Sequence, residues 1–282
     1  MIEMTWVADA LKIGNVLITL VYYGAAVWLI YLALKSAIPA WLKASCIGGV
    51  VVAFGYLPVS GYLEFREKRA YANAAWERFN KYCLERAGER HLRQVEYVES
   101  VLVMREREDA SEEKFSDQYW RGDPYGHPYL RKDAELTNLL EADSYGSRKL
   151  SPIHGFLFIE TKRSDQSGNV SYLEHRLDLT GFGFLTQEVA QRKSRYGFTW
   201  QDISTDEDRK YWIAGSLLSI IDLQTNETVA QRVGYMIDSG FGSRRNGRVP
   251  WMMALKNACP KVDVHVPHFD TRRFLLKVLM GR

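Results

Sequence analysis

The chain is 282 residues long, 46% hydrophobic and 25% charged, a composition that excludes intrinsic disorder, collagen-like repeats and a disulfide-dense miniprotein. Lys and Arg number 37 against 34 Asp and Glu, so the formal charge of +3 is too nearly balanced to mark a nucleic-acid binder. An aromatic content of 13% suits an antiparallel sheet, an interaction surface or the water interface of a membrane protein, and singles out no chemistry.

The first feature along the chain is an apolar run from Ile13 to Leu34 without a charged side chain. About twenty helical residues cross a hydrocarbon core of about 30 Å, so this run has a spanning length. A cleaved signal peptide fits poorly, because Glu3 and Asp9 precede the run beside a single Lys12. A second run, Ala44 to Ser60, follows a short connection carrying Lys35, Pro39 and Lys43. Its segment Ile47 to Leu57 has no polar face, and Gly48, Gly49 and Gly55 permit close helix contact. These runs predict a two-helix transmembrane hairpin over residues 1–60 and a soluble domain over 61–282. Lys35 and Lys43 mark the hairpin tip as cytoplasmic, whereas Arg66, Lys68 and Arg69 pull the other flank the same way. Short loops respond most to positive charge, which places the large domain of an inner-membrane protein in the periplasm. Cys46 lies in the second run; Cys83 and Cys259 remain, to be bridged in an oxidising compartment or kept as buried thiols in a reducing one.

In the soluble part, Ala72, Trp76, Phe79 and Cys83 recur at helical spacing and predict a helix over Tyr62 to Ala87, capped by Gly88. Val95 and Tyr97 then alternate with Gln94 and Glu96, and Val101 to Met104 reads as a buried strand. The charged run 105–114, REREDASEEK, reads as a solvated loop without a catalytic carboxylate pair. Turn formers and aromatics fill Tyr119 to Tyr129; Tyr119, Trp120 and Tyr125 are candidate partner contacts, or else fold back over the sheet. The Arg121-Gly122-Asp123 triplet is too short to indicate adhesion.

Ile153 to Thr161 and Val170 to Leu179 flank a DQSGN turn, and Trp212 to Leu223 and Val229 to Ile237 flank QTNET with Asn226 available for the turn, giving two hairpins. Between them Thr186 to Arg195 reads as a short helix, Tyr196 to Ile203 as a strand, and Thr205-x-x-Asp208 as a helix cap. Gly240 to Arg248 is a basic loop in which Arg244, Arg245 and Arg248 are candidates for an acidic partner surface or phospholipid headgroups, unless they simply solvate a turn. Pro250 opens a short helix, and Thr271 to Met280 packs back as helix or strand. The class is α+β: an antiparallel-sheet domain with flanking helices.

The chain lacks the G-x-S-x-G, P-loop, HExxH and G-x-G-x-x-G patterns. His265 and His268 form the one close histidine pair, and no Cys or carboxylate spacing completes a metal site with them. Asp202, Asp206, Glu207 and Asp208 are accounted for by capping and solvation. No catalytic residue, cofactor site or metal site is assigned.

Residues 81–104, KYCLERAGERHLRQVEYVESVLVM, together with 196–238 and the NACP of 257–260, resemble an uncharacterised proteobacterial family of membrane-tethered or exported proteins. The resemblance covers most of the soluble domain and implies a periplasmic bridge between Cys83 and Cys259. It also implies an accessory role of the kind that accompanies secreted antibacterial effectors, and it carries no catalytic residues. The expectation is therefore an anchored protein-binding domain, an immunity protein that occludes an effector, with a structural or assembly subunit of an envelope complex as the alternative. Its partners are another protein and membrane lipid, and not nucleic acid.

Overall fold

The structure, a computed structural model, describes residues 5–93, 95, 98–126, 133–140, 156–164, 167–178, 184–261 and 269–279. Its contacts divide the chain into two compact units, Met1–Tyr71 and Ala72–Arg282.

The first unit contains helix α1 (Thr5–Lys35) and most of helix α2 (Ala40–Glu85). Among the described residues only α2 is long and apolar enough to cross a membrane, and the apolar stretch described for α1, Thr19–Lys35, is shorter. Of the two spans expected, one is found among the described residues. A correction concerns the glycines: a Cβ at Gly48, Gly49 or Gly55 would meet nothing within 4 Å, so no close contact between the two helices runs through them. The two helices meet instead at Tyr22 and Phe54, whose ring centroids are 4.9 Å apart.

The second unit is α+β. After the end of α2 come strands β1 (Gly88–His91) and β2 (Ser100–Val103), a 3-10 turn at Lys114–Ser116 and helix α3 (Asp133–Leu140). Strands β3 (Phe158–Ser164), β4 (Val170–Leu177), β5 (Phe184–Val189) and β6 (Tyr196–Asp202) lead to the short helix α4 (Asp206–Lys210). The long hairpin β7 (Ile213–Asp222) and β8 (Glu227–Ile237) follows, then α5 (Pro250–Ala254), β9 (Ala258–Cys259) and α6 (Phe269–Leu279). The described strands form one sheet in the order β1-β8-β7-β6-β2-β3-β4-β5, with β9 also on β8.

The sheet is mixed, which corrects the expected antiparallel one: β2 runs parallel to both β3 and β6. Parallel neighbours need a long crossover, and the chain from Val103 to Phe158, which carries α3, provides it. The predicted helix over Thr186 to Arg195 is also corrected. Phe184 to Val189 is a strand because every one of these residues finds a partner on β4, from Leu177 opposite Phe184 to Tyr172 opposite Val189. Strand β1, paired with β8, precedes the strand expected around Val95, whose Gln94, Glu96 and Tyr97 lie outside the described residues; Val95 and Val98 are buried in the core. Both predicted hairpins are present, and Asn226 takes the left-handed φ of 59° that the tight β7–β8 turn requires.

Alternation along β7 and β8 distributes the core. Ala214 and Met236 face one way, where Leu218 and Ile220 join α3 and α6 through Leu139, Phe274, Leu275 and Leu279. Ile213 and Ile237 face the other way and meet Ala75, Phe79 and Tyr82 of α2. Helical spacing of Ala75, Phe79 and Tyr82 presents one apolar stripe to the sheet, which is why this amphipathic part of α2 docks there.

Three further bonds hold that end of α2. Cys83 is disulfide-bonded to Cys259 of β9, with Cα atoms 5.6 Å apart and a sequence separation of 176; a bridge closing so long a loop contributes about 2–5 kcal/mol. The Asp208 carboxylate accepts from Arg78 Nε at 2.6 Å and from the Tyr82 hydroxyl at 2.8 Å. The same carboxylate accepts from the Thr205 amide and hydroxyl, while Thr205 Oγ1 accepts from the Asp208 amide, so the predicted cap of α4 is a reciprocal capping box. Burial alone would raise the Asp208 pKa, but these donors stabilise the charged form and hold it below its ordinary value.

Because the folded-state value of Asp208 lies below the unfolded one, its stabilisation is complete above about pH 4 and is lost as pH falls through the folded value. Replacing Asp208 by Asn is expected to cost about 2 kcal/mol at neutral pH. It should also flatten the loss of stability below pH 4, as read by urea denaturation of the detergent-solubilised chain across pH; an unchanged acid limb would contradict this assignment.

Candidate functional site

A concavity of about 590 Å³, open to solvent, lies between the 113–118 segment and the loop that follows β8. Glu113, Lys114, Ser116, Asp117 and Gln118 line one side, and Trp212, Gly242 and Arg244 complete it. The 113–118 wall is fixed from beneath. Phe115 is buried and meets the Trp120 ring edge-on at 4.9 Å. Trp251 Nε1 donates to the Asp117 carbonyl at 2.7 Å, and Gln118 Nε2 donates to the carbonyls of Arg209 and Lys210 at 2.8 and 3.0 Å.

The opposite wall is organised by Asp238, which is fully buried at the end of β8. Its carboxylate accepts from the amides of Gly240 at 3.1 Å and Gly242 at 2.8 Å and from Arg248, whose other nitrogen donates to the Ser243 carbonyl at 2.7 Å. These bonds hold a strained backbone: Trp212, Phe241 and Asn246 have φ of 55°, 45° and 57°, a region costing a non-glycine residue about 1–3 kcal/mol. Strain of this kind persists only where surrounding contacts over-determine it; Trp212 lines the cleft, Phe241 and Asn246 belong to the loop beside it, and Asp123 and Asn226 share the left-handed φ elsewhere. Arg244 Nη2 reaches across and donates to the Ser116 carbonyl at 3.0 Å, joining the two walls.

The six candidate contacts read from the sequence part company here. Tyr119, Arg244 and Arg245 are exposed and Trp120 is half-buried. Tyr125 is buried, its ring lying over Gly234, where an added Cβ would come within 2.1 Å of it, so it is part of the core and not of a surface. Arg248 is committed to Asp238 inside the loop. The charged run 105–114 is also corrected in one respect: Arg107 is buried and donates to Asp123 at 2.9 and 3.2 Å, fastening the 119–126 loop to the sheet. Asp117, Gln118, Trp212 and Asp238 were not singled out by sequence reasoning. A signal for Asp238 alone was the Asp-Ser-Gly-Phe-Gly run at 238–242, an acidic residue followed by two turn glycines.

Chemically the cleft offers Glu113, Asp117, Lys114 and Arg244, two charges of each sign, around an indole. His175, buried between the hydroxyls of Thr161 and Thr186 at 3.0 Å each, is a structural residue of the β3–β5 sheet. Among the described residues no group of three or more His, Cys, Asp or Glu is placed to hold a metal ion; His265, His268 and Tyr129 lie outside them. No family model, curated protein or solved structure matches the chain, so the family resemblance of residues 81–104, 196–238 and 257–260 rests on the sequence alone.

Gly242 has φ of 78°, and a Cβ there would lie 2.2 Å from the Trp212 ring. Gly242→Ala should therefore displace Trp212 and open the cleft at a cost of about 1–3 kcal/mol. A shift in tryptophan emission together with faster proteolysis within 238–248 would register it; wild-type values in both would remove the argument that this loop is pre-set.

Proposed function

We propose that this chain is an inner-membrane-anchored protein-binding module whose disulfide-bonded domain lies in the periplasm and engages a protein partner at the 113–118/238–248 cleft. The observation that carries the reading is the cleft itself: a strained, pre-set loop, held by a buried aspartate, faces a wall with charges of both signs. Pre-setting a loop lowers the ordering cost of association, which is a reason for a protein to carry such strain at a contact surface. The apolar part of α2 supports a membrane anchor, and the Cys83–Cys259 bridge supports an oxidising compartment. Within this reading the partner is an incoming secreted effector that the domain neutralises by occlusion, and the anchor keeps the domain concentrated where the effector arrives.

The second reading, a structural or assembly subunit of an envelope complex, is favoured by a different observation. Gly48, Gly49 and Gly55 have open space around them, and Val51, Val52 and Tyr56 beside them are 58%, 70% and 69% exposed. A helix face of this composition accommodates a close-packed neighbouring span.

Photo-crosslinking residues placed at Glu113 and Lys114 of the full chain in its native membrane, with Lys162 on β3 as the control, separate the two. The first reading expects one soluble protein at the cleft positions and not at Lys162, with Arg244→Glu reducing that crosslink at least about tenfold, or 1.4 kcal/mol. Crosslinks that survive Arg244→Glu would overturn the cleft assignment. Integral-membrane partners that vanish on Gly49→Leu would favour the assembly subunit.

A further inference from the structure

Pro58 lies inside α2. A proline has no backbone N–H, so the carbonyl four residues earlier, that of Phe54, loses its intrahelical donor. The Tyr22 hydroxyl of α1 donates to that same carbonyl at 2.8 Å. The match is specific: the one carbonyl of α2 that Pro58 deprives of a partner is the one that α1 supplies.

The depth of this bond decides its importance. Trp41 and Tyr62 are 69% and 60% exposed and stand beside Lys43 and Arg66, an aromatic and a cation at either end of the apolar stretch of α2. They are separated by about 31 Å at 1.5 Å per residue, the thickness of a hydrocarbon core, and residues of this kind settle at the two interfaces. Phe54 lies about 20 Å from the first and about 12 Å from the second, well inside. There no water can satisfy a free carbonyl, and an unpaired one is strongly disfavoured.

Two further features fit. Tyr22, Ala26, Ile30 and Ala33, at spacings of four, four and three, are the less exposed positions among residues 19–35 of α1. Lys43, Ile47, Val50 and Phe54 of α2, at spacings of four, three and four, are likewise half-buried. Read in opposite directions the two stripes match as an antiparallel pair. Near the tip Lys43 Nζ donates at 3.0 Å to the carbonyl of Leu34, one of the last carbonyls of α1 and so without a helical donor.

We propose that α1 is a second lipid-embedded helix and that Tyr22 is its latch, donating to the Phe54 carbonyl that Pro58 leaves unpaired, so that the anchor is an obligate two-helix unit. This rests on the membrane reading above. α2 then carries the break, α1 carries the remedy, and neither helix is complete in lipid without the other.

The test is a double-mutant cycle in native membranes, using the full chain with Cys46→Ser and cysteines introduced at Ala26 and Val50, and measuring the rate of oxidative crosslinking. Tyr22→Phe is expected to slow crosslinking about threefold. Pro58→Ala gives Phe54 an intrahelical donor, so in that background Tyr22→Phe is expected to change nothing further. An unaltered rate for Tyr22→Phe beside Pro58, or the same loss beside Ala at 58, would overturn the latch, the second result assigning Tyr22 to packing alone. Alkaline carbonate separates the two failures: extraction of the unsubstituted chain would overturn the membrane reading and the latch together, whereas a retained chain indifferent to Tyr22→Phe would overturn only the latch.

Discussion

The larger unit depends on how the five-residue helix α4 is clamped. Asp208 and Arg209 are adjacent in sequence and, being adjacent, leave the helix in different directions. Asp208 is held by the capping box and by Arg78 and Tyr82, so it fixes α4 to the end of α2. Arg209 is completely buried, pairs with Asp202 at 2.7 Å and lies with its guanidinium 4.9 Å from the centre of the Trp251 ring. Burial pushes the Arg209 pKa down and Asp202 opposes it. Its Nε and Nη1 find no partner among the described residues, so the stacked indole face is a substantial part of what stabilises this cation.

From Arg209 the dependence passes outward. Trp251 holds the Asp117 carbonyl, and the carbonyls of Arg209 and Lys210 hold Gln118, so one wall of the cleft is built on α4 and α5. The opposite wall is built on Asp238, whose own amide donates to the Trp212 carbonyl just after α4. Both walls therefore refer back to the same short stretch, 208–212. This explains how a cleft made of loops can be rigid: its backbone strain is set against buried charge-assisted hydrogen bonds, which are stronger than neutral ones. A similar device closes the far end of the β7–β8 hairpin, where Arg195 foremost, with the Gln224 amide and Arg93, holds the Asp222 carboxyl well below its ordinary value.

In the membrane reading proposed for the smaller unit, the solvent is a different one. In water, a proline in an exposed helix costs one hydrogen bond that solvent can replace; in hydrocarbon, the replacement must come from protein. Tyr22 is the described donor, and the apolar face of α2 that it leaves uncovered, with its glycines and valines, is available to lipid or to another span.

What the sequence by itself determined was local. Helical spacing from Ala72 to Cys83, the β7–β8 hairpin with its Asn226 turn, the Thr205–Asp208 cap and the short helix at Pro250 were legible because each is dictated by residues within a few positions of one another. The tertiary structure decided the parallel placement of β2, the strand at 184–189 and the burial of Arg107, Tyr125 and Arg248. Each depends on a partner far away in sequence: β3 and β6 for β2, β4 for β5, Asp123 for Arg107, Gly234 for Tyr125. Thr186 to Arg195 shows the competition plainly, since a stretch of modest helical tendency becomes a strand when β4 supplies a full ladder of hydrogen bonds. The cleft was illegible for the same reason. Arg244 and Ser116, which join its walls, are 128 positions apart in sequence, and a surface charge such as Lys114 or Arg244 gains a role only when folding brings its counterpart alongside, because Coulomb attraction depends on distance in space and not on distance along the chain.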